Sequence, residues 1–286
     1  MGESERSFLG LGGATGFHRI AYTQWGEGHN KRVLICLHGL TRNGRDFDDL
    51  AVALSDRWRV LCPDMIGHGH SDWLADPAGY NETQYLNDCV ALIARSGAAV
   101  VDWVGTSMGG IVGMMLAAQR NAPIRRLVLN DVGPFTPRAA LERIRKYVYK
   151  TPVFPDLLAA ETYLYKTNAP FLGSLTAEQW QRTTRFMTRP HPEGKGYVLH
   201  YDPRVALALH AGTLTDMDLW TVWATIRCPV LVLRGQTSDL LTVETTEQMQ
   251  VRGPEVTVMD IPNCGHAPSL MDNHQIKLIR TFLTAD

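Results

Sequence analysis

A serine hydroxyl becomes a nucleophile only when a nearby base takes its proton. The segment Gly105-Thr106-Ser107-Met108-Gly109 fits G-x-S-x-G, between a strand-like apolar run and a small, apolar helical stretch. A strand–turn–helix of this kind holds its serine in a strained backbone conformation and exposes the hydroxyl at the sheet edge. Glycine is expected at 105 and 109 because a Cβ at either place would collide across the tight turn. N–H groups at the start of the following helix would face an oxyanion formed there. The chemistry on offer is attack by Ser107 on a carbonyl carbon.

The base must come from elsewhere in the chain. Among 10 histidines, His266 lies in Asn263-Cys264-Gly265-His266-Ala267-Pro268, after the last strand-like run, and is the expected base. His38 also ends such a run, but its glycine neighbour points to a role in shaping the loop beside the turn. An imidazole base needs a carboxylate to fix its tautomer. Asp239, in the segment after the run 230–233, is the expected acid; Asp131, which ends the run 127–129, is the alternative acid. The order nucleophile, acid, base then matches one known hydrolase architecture.

Other apparent motifs carry less. His68-Gly69-His70 has no carboxylate or third histidine at ligand spacing, so no metal is expected. Gly10, Gly12 and Gly16 lack the strand that should precede a dinucleotide fingerprint, so a flexible N-terminus and no cofactor are expected. Arg42-Asn43-Gly44-Arg45 reads as a solvated loop.

These residues need a rigid frame. Apolar runs at 33–37, 59–62, 100–104, 127–129, 230–233 and 255–258 read as strands covered on both faces, hence a parallel sheet. Helical patterns at 81–95, 107–119, 242–250 and 272–284 alternate with them, which implies an α/β layered sheet. From Gly133 to about Thr215 the rhythm breaks into aromatic, proline-punctuated helical stretches without a strong strand. Such an insertion is expected to lie as a lid over the strand ends, where open α/β sheets keep their ligands.

With 286 residues the chain has room for two domains, or one with a large insertion. Its 28 basic and 29 acidic residues advertise no polycationic face, so neither nucleic acid nor an anionic membrane is expected as partner. The 5 scattered cysteines form no C-x-x-C pair, which fits free thiols in a reducing compartment. No signal peptide or membrane span is visible, and the cytoplasm is the expected location. Exposed lid aromatics would support a homodimer.

Together the landmarks resemble the α/β-hydrolase superfamily, in its lid-bearing serine esterase branch, over roughly residues 15–285. Leu37-His38-Gly39-Leu40 resembles the family's His-Gly loop, and Asp64-Met65-Ile66-Gly67-His68-Gly69-His70-Ser71 its D-x-x-G-x-G-x-S loop. The resemblance implies an α/β-hydrolase fold: a mostly parallel central sheet flanked by helices, with core residues 1–132 and 216–286 and a helical cap at 133–215. It implies Ser107 as nucleophile, His266 as base and then acid, Asp239 as orienting acid, and the N–H groups of Leu40 and Met108 as oxyanion hole. The implied activity is cofactor-free cleavage of small-molecule carboxylic esters through an acyl-enzyme. A serine nucleophile sets the chain apart from the dehalogenase and epoxide-hydrolase branches. The same residues would serve an enol-lactonase, a hydroxyacid-ester oligomer hydrolase, a C–C bond hydrolase of ring-cleavage products, a thioesterase or a perhydrolase. A non-catalytic small-ligand receptor is the alternative from another class.

Overall fold

Strands that are apolar on both faces belong in the middle of a layered sheet. In the computed structural model, which describes residues 2–12, 16–210 and 213–285, that is where they lie. The central sheet is built from β1 (Ser4–Gly12), β2 (Gly16–Trp25), β3 (Val33–Leu37), β4 (Arg59–Pro63), β5 (Val101–Thr106), β6 (Ile124–Asn130), β7 (Val230–Gly235) and β8 (Val256–Ile261). Their spatial order is β1-β2-β4-β3-β5-β6-β7-β8. The pairs β1/β2 and β2/β4 are antiparallel and the remaining pairs parallel. Successive side chains pack into opposite layers. Ile35, Leu37, Trp103 and Leu127 point into one core, and Leu34, Cys36, Val104 and Val128 into the other.

Register decides what meets at the carboxyl edge. Leu37 pairs with Gly105, Thr106 with Asn130, and Asn130 with Leu233. Gly235 pairs with Ile261. The loops after β3, β5, β6, β7 and β8 therefore leave the sheet side by side.

The N-terminal region corrects the expectation of flexibility. Gly10, Gly12 and Gly16 belong to a hairpin in which Gly12 pairs with Gly16, while residues 13–15 lie outside the described residues. Strand β1 is an edge strand with mostly solvent-facing side chains, so no apolar run marks it.

Helices cover the sheet: α1 (Asp48–Leu54), α2 (Glu82–Ser96) and α3 (Met108–Ala117) in the first half. Helix α2 begins at Asn81, whose side chain accepts from Gln84 N–H, and ends at Gly97 with φ 68°. Between β6 and β7 come α4 (Arg138–Val148), α5 (Leu157–Leu172) and α6 (Ala177–Met187). This stretch also holds strands of two and three residues. Thr188–Pro190 pairs with Tyr197–Leu199, and Phe135–Thr136 with Met217–Asp218. The second pair ties the outgoing and returning chain together. Of the 133–215 segment, residues 211 and 212 lie outside the described residues. Helices α7 (Val243–Val251) and α8 (Asn273–Thr284) complete the layers. Among the described residues, no helix is long and apolar enough to cross a membrane.

Candidate active site

Ser107 sits between β5 and α3 with φ 51° and ψ −115°, a conformation that L-residues rarely adopt. The flanking glycines explain how the turn closes around it. A Cβ on Gly105 would overlap the Gly109 carbonyl, and one on Gly109 would overlap the Leu37 carbonyl. The G-x-S-x-G spacing is thus a steric requirement of packing α3 across the ends of β3 and β5. The Ser107 N–H is tied to Asn130 O at 3.1 Å, which joins the turn to the end of β6.

His266, from the loop after β8, reaches this serine. Its Nε2 lies 2.9 Å from Ser107 Oγ, and its Nδ1 lies 2.8 Å from Asp131 Oδ2. With Nδ1–H donating to the carboxylate, Nε2 is left to accept the serine proton. The Asp131 carboxylate is fully buried, and its backbone is also left-handed, at φ 53°. Burial of a charge demands hydrogen bonds. Gly235 N–H donates to Oδ1 at 2.7 Å, and Ser238 Oγ–H donates to Oδ2 at 2.5 Å.

The expected acid, Asp239, is not brought to the imidazole. Its carboxylate accepts from Arg143 Nε at 2.5 Å and from Nη2 at 2.7 Å, on the half-exposed side of the loop after β7. The end of β7 and the loop after it hand the buried carboxylate two donors, Gly235 N–H and Ser238 O–H, instead of a second negative charge. The structure brings Ser107, His266 and the alternative acid Asp131 into one relay. Both aspartates follow a strand at the same sheet edge, so spacing alone did not separate them.

Leu40 and Met108 flank the serine and line one cavity with it. Two buried imidazoles hold the peptides on either side of Leu40. Met65 N–H donates to His38 Nε2 at 2.9 Å, so the proton of the neutral ring is on Nδ1, which donates to Gly39 O at 2.8 Å. That carbonyl belongs to the same peptide as the Leu40 N–H. His68 Nε2 lies 2.6 Å from Leu40 O and its Nδ1 3.1 Å from Ile66 O, which assigns the proton to Nε2. Burial pushes both imidazoles below the usual histidine range, His38 far below, and their proximity adds to the shift of His38. Both rings are neutral braces.

The 64–71 loop earns its glycines here. A Cβ on Gly69 would overlap the Asp64 carboxylate, which accepts from Gly44 N–H and His70 N–H, each at 2.8 Å. This loop seats His68 under Leu40. Sequence spacing reads His68 only as a non-ligand; the bracing depends on a contact 28 residues away. The 42–45 loop is less solvated than expected, since Arg42 is paired through Nε and Nη2 with Asp46, each at 2.7 Å, and lines the cleft beside Ser107. Among the described residues, no group of three or more His, Cys, Asp or Glu is arranged to hold a metal ion.

Besides the cleft beside Ser107, which Ser107 and His266 both line, two larger cavities meet at the relay. One, of about 240 Å³, is lined by Ser107, Met108, Ile111, Leu141, Ile144 and Leu209 and is mostly apolar. The other, of about 210 Å³, lies under α4 and α5 and is lined by His266, Arg143, Tyr147, Thr167, Asn168 and Phe171, among others.

A sequence profile of the alpha/beta hydrolase family matches residues 34–276. The chain belongs to that family. It is 44% identical over 276 residues, 94% of each chain, to a 3-hydroxybutyrate-oligomer hydrolase of Cupriavidus necator. Its fold is shared with an alpha/beta hydrolase from Novosphingobium aromaticivorans (TM-score 0.87, 36% identity, 98% of each chain). It is also shared with a putative hydrolase of Rickettsia typhi (TM-score 0.91, 33% identity, 99% of each chain). Within the family the chain is an ester hydrolase.

Proposed function

We propose that this ester hydrolase cleaves short oligomers of 3-hydroxybutyrate through an acyl-enzyme on Ser107. His266 acts as base and then acid, and Asp131 holds the imidazole tautomer. The observation that carries the chemistry is the relay itself, 2.9 Å from Ser107 Oγ to His266 Nε2 and 2.8 Å from Nδ1 to Asp131. The N–H groups of Leu40 and Met108 receive the oxyanion of the tetrahedral intermediate. The substrate class rests on the relative from Cupriavidus necator, similar along 94% of both chains. The described residues of the 133–215 segment form the cap over the site, which the cavity lining by α4 and α5 supports. The five cysteines are free, which supports a reducing, cytoplasmic setting.

The test is release of 3-hydroxybutyrate from its linear dimer, followed by chromatography. The wild type turns the dimer over, and Ser107→Ala loses at least about 10³-fold in kcat while keeping its circular dichroism spectrum. A fluorophosphonate probe labels the wild type at Ser107 only. Turnover by Ser107→Ala within tenfold of the wild type would sink the mechanism.

A further inference from the structure

The acyl-enzyme reading leaves open which end of the substrate is recognised, and the two cavities answer it. In acylation the proton taken from Ser107 is returned to the leaving oxygen by His266 Nε2. The leaving group therefore lies on the imidazole side. The larger cavity under α4 and α5 and the smaller cleft beside Ser107 are both lined by His266 and share Thr41, Tyr147 and Asn168, whereas among the described residues the apolar cavity is lined by Ser107, Leu40 and Met108 without His266. The acyl part belongs to the apolar cavity and the leaving alcohol to the larger space under α4 and α5.

Among the described residues, Arg143 is the single Lys or Arg lining the leaving-group cavity. Its guanidinium is held on several sides. Asp239 takes the Nε and Nη2 edge in a two-pronged pair, and the Phe171 ring lies 5.1 Å from the guanidinium carbon. Burial opposes its charge, but the hydrogen bonds and charge of Asp239 outweigh that and keep it cationic. Tyr147, which lines the same cavity, also hydrogen-bonds to Arg143, and a ligand carboxylate would join that pair. Arg42 lines the smaller cleft beside Ser107 instead, where Asp46 holds its Nε and Nη2 and Met187 Sδ lies 2.7 Å from its Nη1.

Resting on the acyl-enzyme reading, the geometry points to Arg143 as the carboxylate-binding residue of the leaving-group site, so that hydroxyacid units are released from the carboxyl end of the oligomer. Ser107 Oγ bonds to the carbonyl carbon of the last ester link, and its proton passes to His266 Nε2. The bond from that carbon to the alkoxy oxygen then breaks. The oxygen leaves with the bonding pair, takes the proton from Nε2 and departs as a 3-hydroxyacid whose carboxylate is on Arg143. Water, deprotonated by Nε2, releases the shortened oligomer.

The test compares free acids with their methyl esters. Two pairs are used: the 3-hydroxybutyrate dimer, and 3-(butyryloxy)propanoate, which places the carboxylate similarly but is no hydroxybutyrate oligomer. The wild type prefers the acid in each pair. In Arg143→Gln the acid-to-ester ratio of kcat/KM falls about 10- to 100-fold, mainly through KM, as for a lost hydrogen bond to a charged group. Arg143→Lys recovers part of that ratio. A ratio unchanged by Arg143→Gln overturns the assignment. Should that variant fail to fold, the wild type alone decides. 3-Hydroxybutyrate must compete with p-nitrophenyl butyrate at least tenfold better than its methyl ester, and equal inhibition overturns the assignment. Acid preference on the propanoate pair without turnover of the dimer sinks the oligomer reading and keeps Arg143. Turnover of the dimer without acid preference does the reverse.

Discussion

The identity of the orienting acid can be decided by changing one atom. In Asp131→Asn the amide must choose which of its ends faces which neighbour. Gly235 N–H, a fixed donor 2.7 Å from Oδ1, demands an acceptor there. The amide oxygen is therefore held by Gly235, and the NH₂ group turns toward Ser238 and His266. Ser238 can rotate its hydroxyl to accept, but the imidazole must then accept at Nδ1 and carry its proton on Nε2. Across the 2.9 Å contact to Ser107, Nε2–H is a donor where a base is required. The expected loss in kcat is about 10³- to 10⁴-fold, or about 4–5.5 kcal/mol of transition-state stabilisation. The assay is steady-state hydrolysis of p-nitrophenyl butyrate, with Asp239→Asn measured alongside. Asp131→Asn should lose at least about 100-fold more in kcat than Asp239→Asn. Comparable losses in the two variants, or more than a tenth of wild-type kcat in Asp131→Asn, would refute the assignment.

The bracing of Leu40 predicts a rescue pattern at His38. Asn at 38 keeps a donor near the Nδ1 position for Gly39 O, whereas Gln keeps only an acceptor toward Met65 N–H. His38→Gln should lose about 10- to 100-fold in kcat with little change in KM, somewhat less than deletion of an oxyanion donor, and His38→Asn should lose several-fold less. Equal losses on p-nitrophenyl butyrate would assign His38 a purely structural part. The buried His38 and His68 and the half-buried His200 also set an acid limit on stability. Burial, assisted by the charge of His70, pushes His200 down to about 4, and His38 and His68 are likewise lowered by burial. Below about pH 6.5 the unfolded chain takes up protons that the fold excludes, so stability is full above that pH and is lost as pH falls toward and through the folded value. Urea unfolding should show a decline of up to about 1.4 kcal/mol per pH unit for each such histidine between pH 6.5 and 4.5. His200→Asn should flatten the curve, and an unaltered slope contradicts the account.

What the sequence made legible follows from where local chemistry is self-sufficient. The turn at Ser107 is legible because its glycines answer steric demands within a few residues of one another and at the adjacent strand end. The parallel strands are legible because burial on both faces leaves continuous apolar runs such as Val33–Leu37. His266 is legible as a histidine just past the last strand. Strand β1 is not, since an edge strand facing solvent carries little apolar pattern. Nor is the choice between Asp131 and Asp239. Each ends or follows a strand, and only the left-handed backbone at Asp131 and the fold of the 235–241 loop turn one inward and the other outward. The brace from His68 to Leu40 joins two loops that are adjacent only after β3 and β4 have paired.

The loop after β7 joins the relay to Arg143. Ser238 and Asp239 are consecutive and point in opposite directions. Ser238 donates inward to Asp131 and accepts from the N–H groups of Leu240 and Leu241 at 3.2 and 3.1 Å, which pins the loop. Asp239 faces outward and grips Arg143. A carboxylate turned inward at 239 would set a second negative charge beside the buried Asp131, and one of the two would have to take up a proton. A hydroxyl avoids that conflict and adds a hydrogen bond to the acid. The outward carboxylate instead neutralises a guanidinium that burial disfavours. One short loop thereby sets a hydroxyl donor on the buried acid beneath the imidazole and a carboxylate on Arg143, and because the two contacts come from adjacent residues, neither can shift without moving the other.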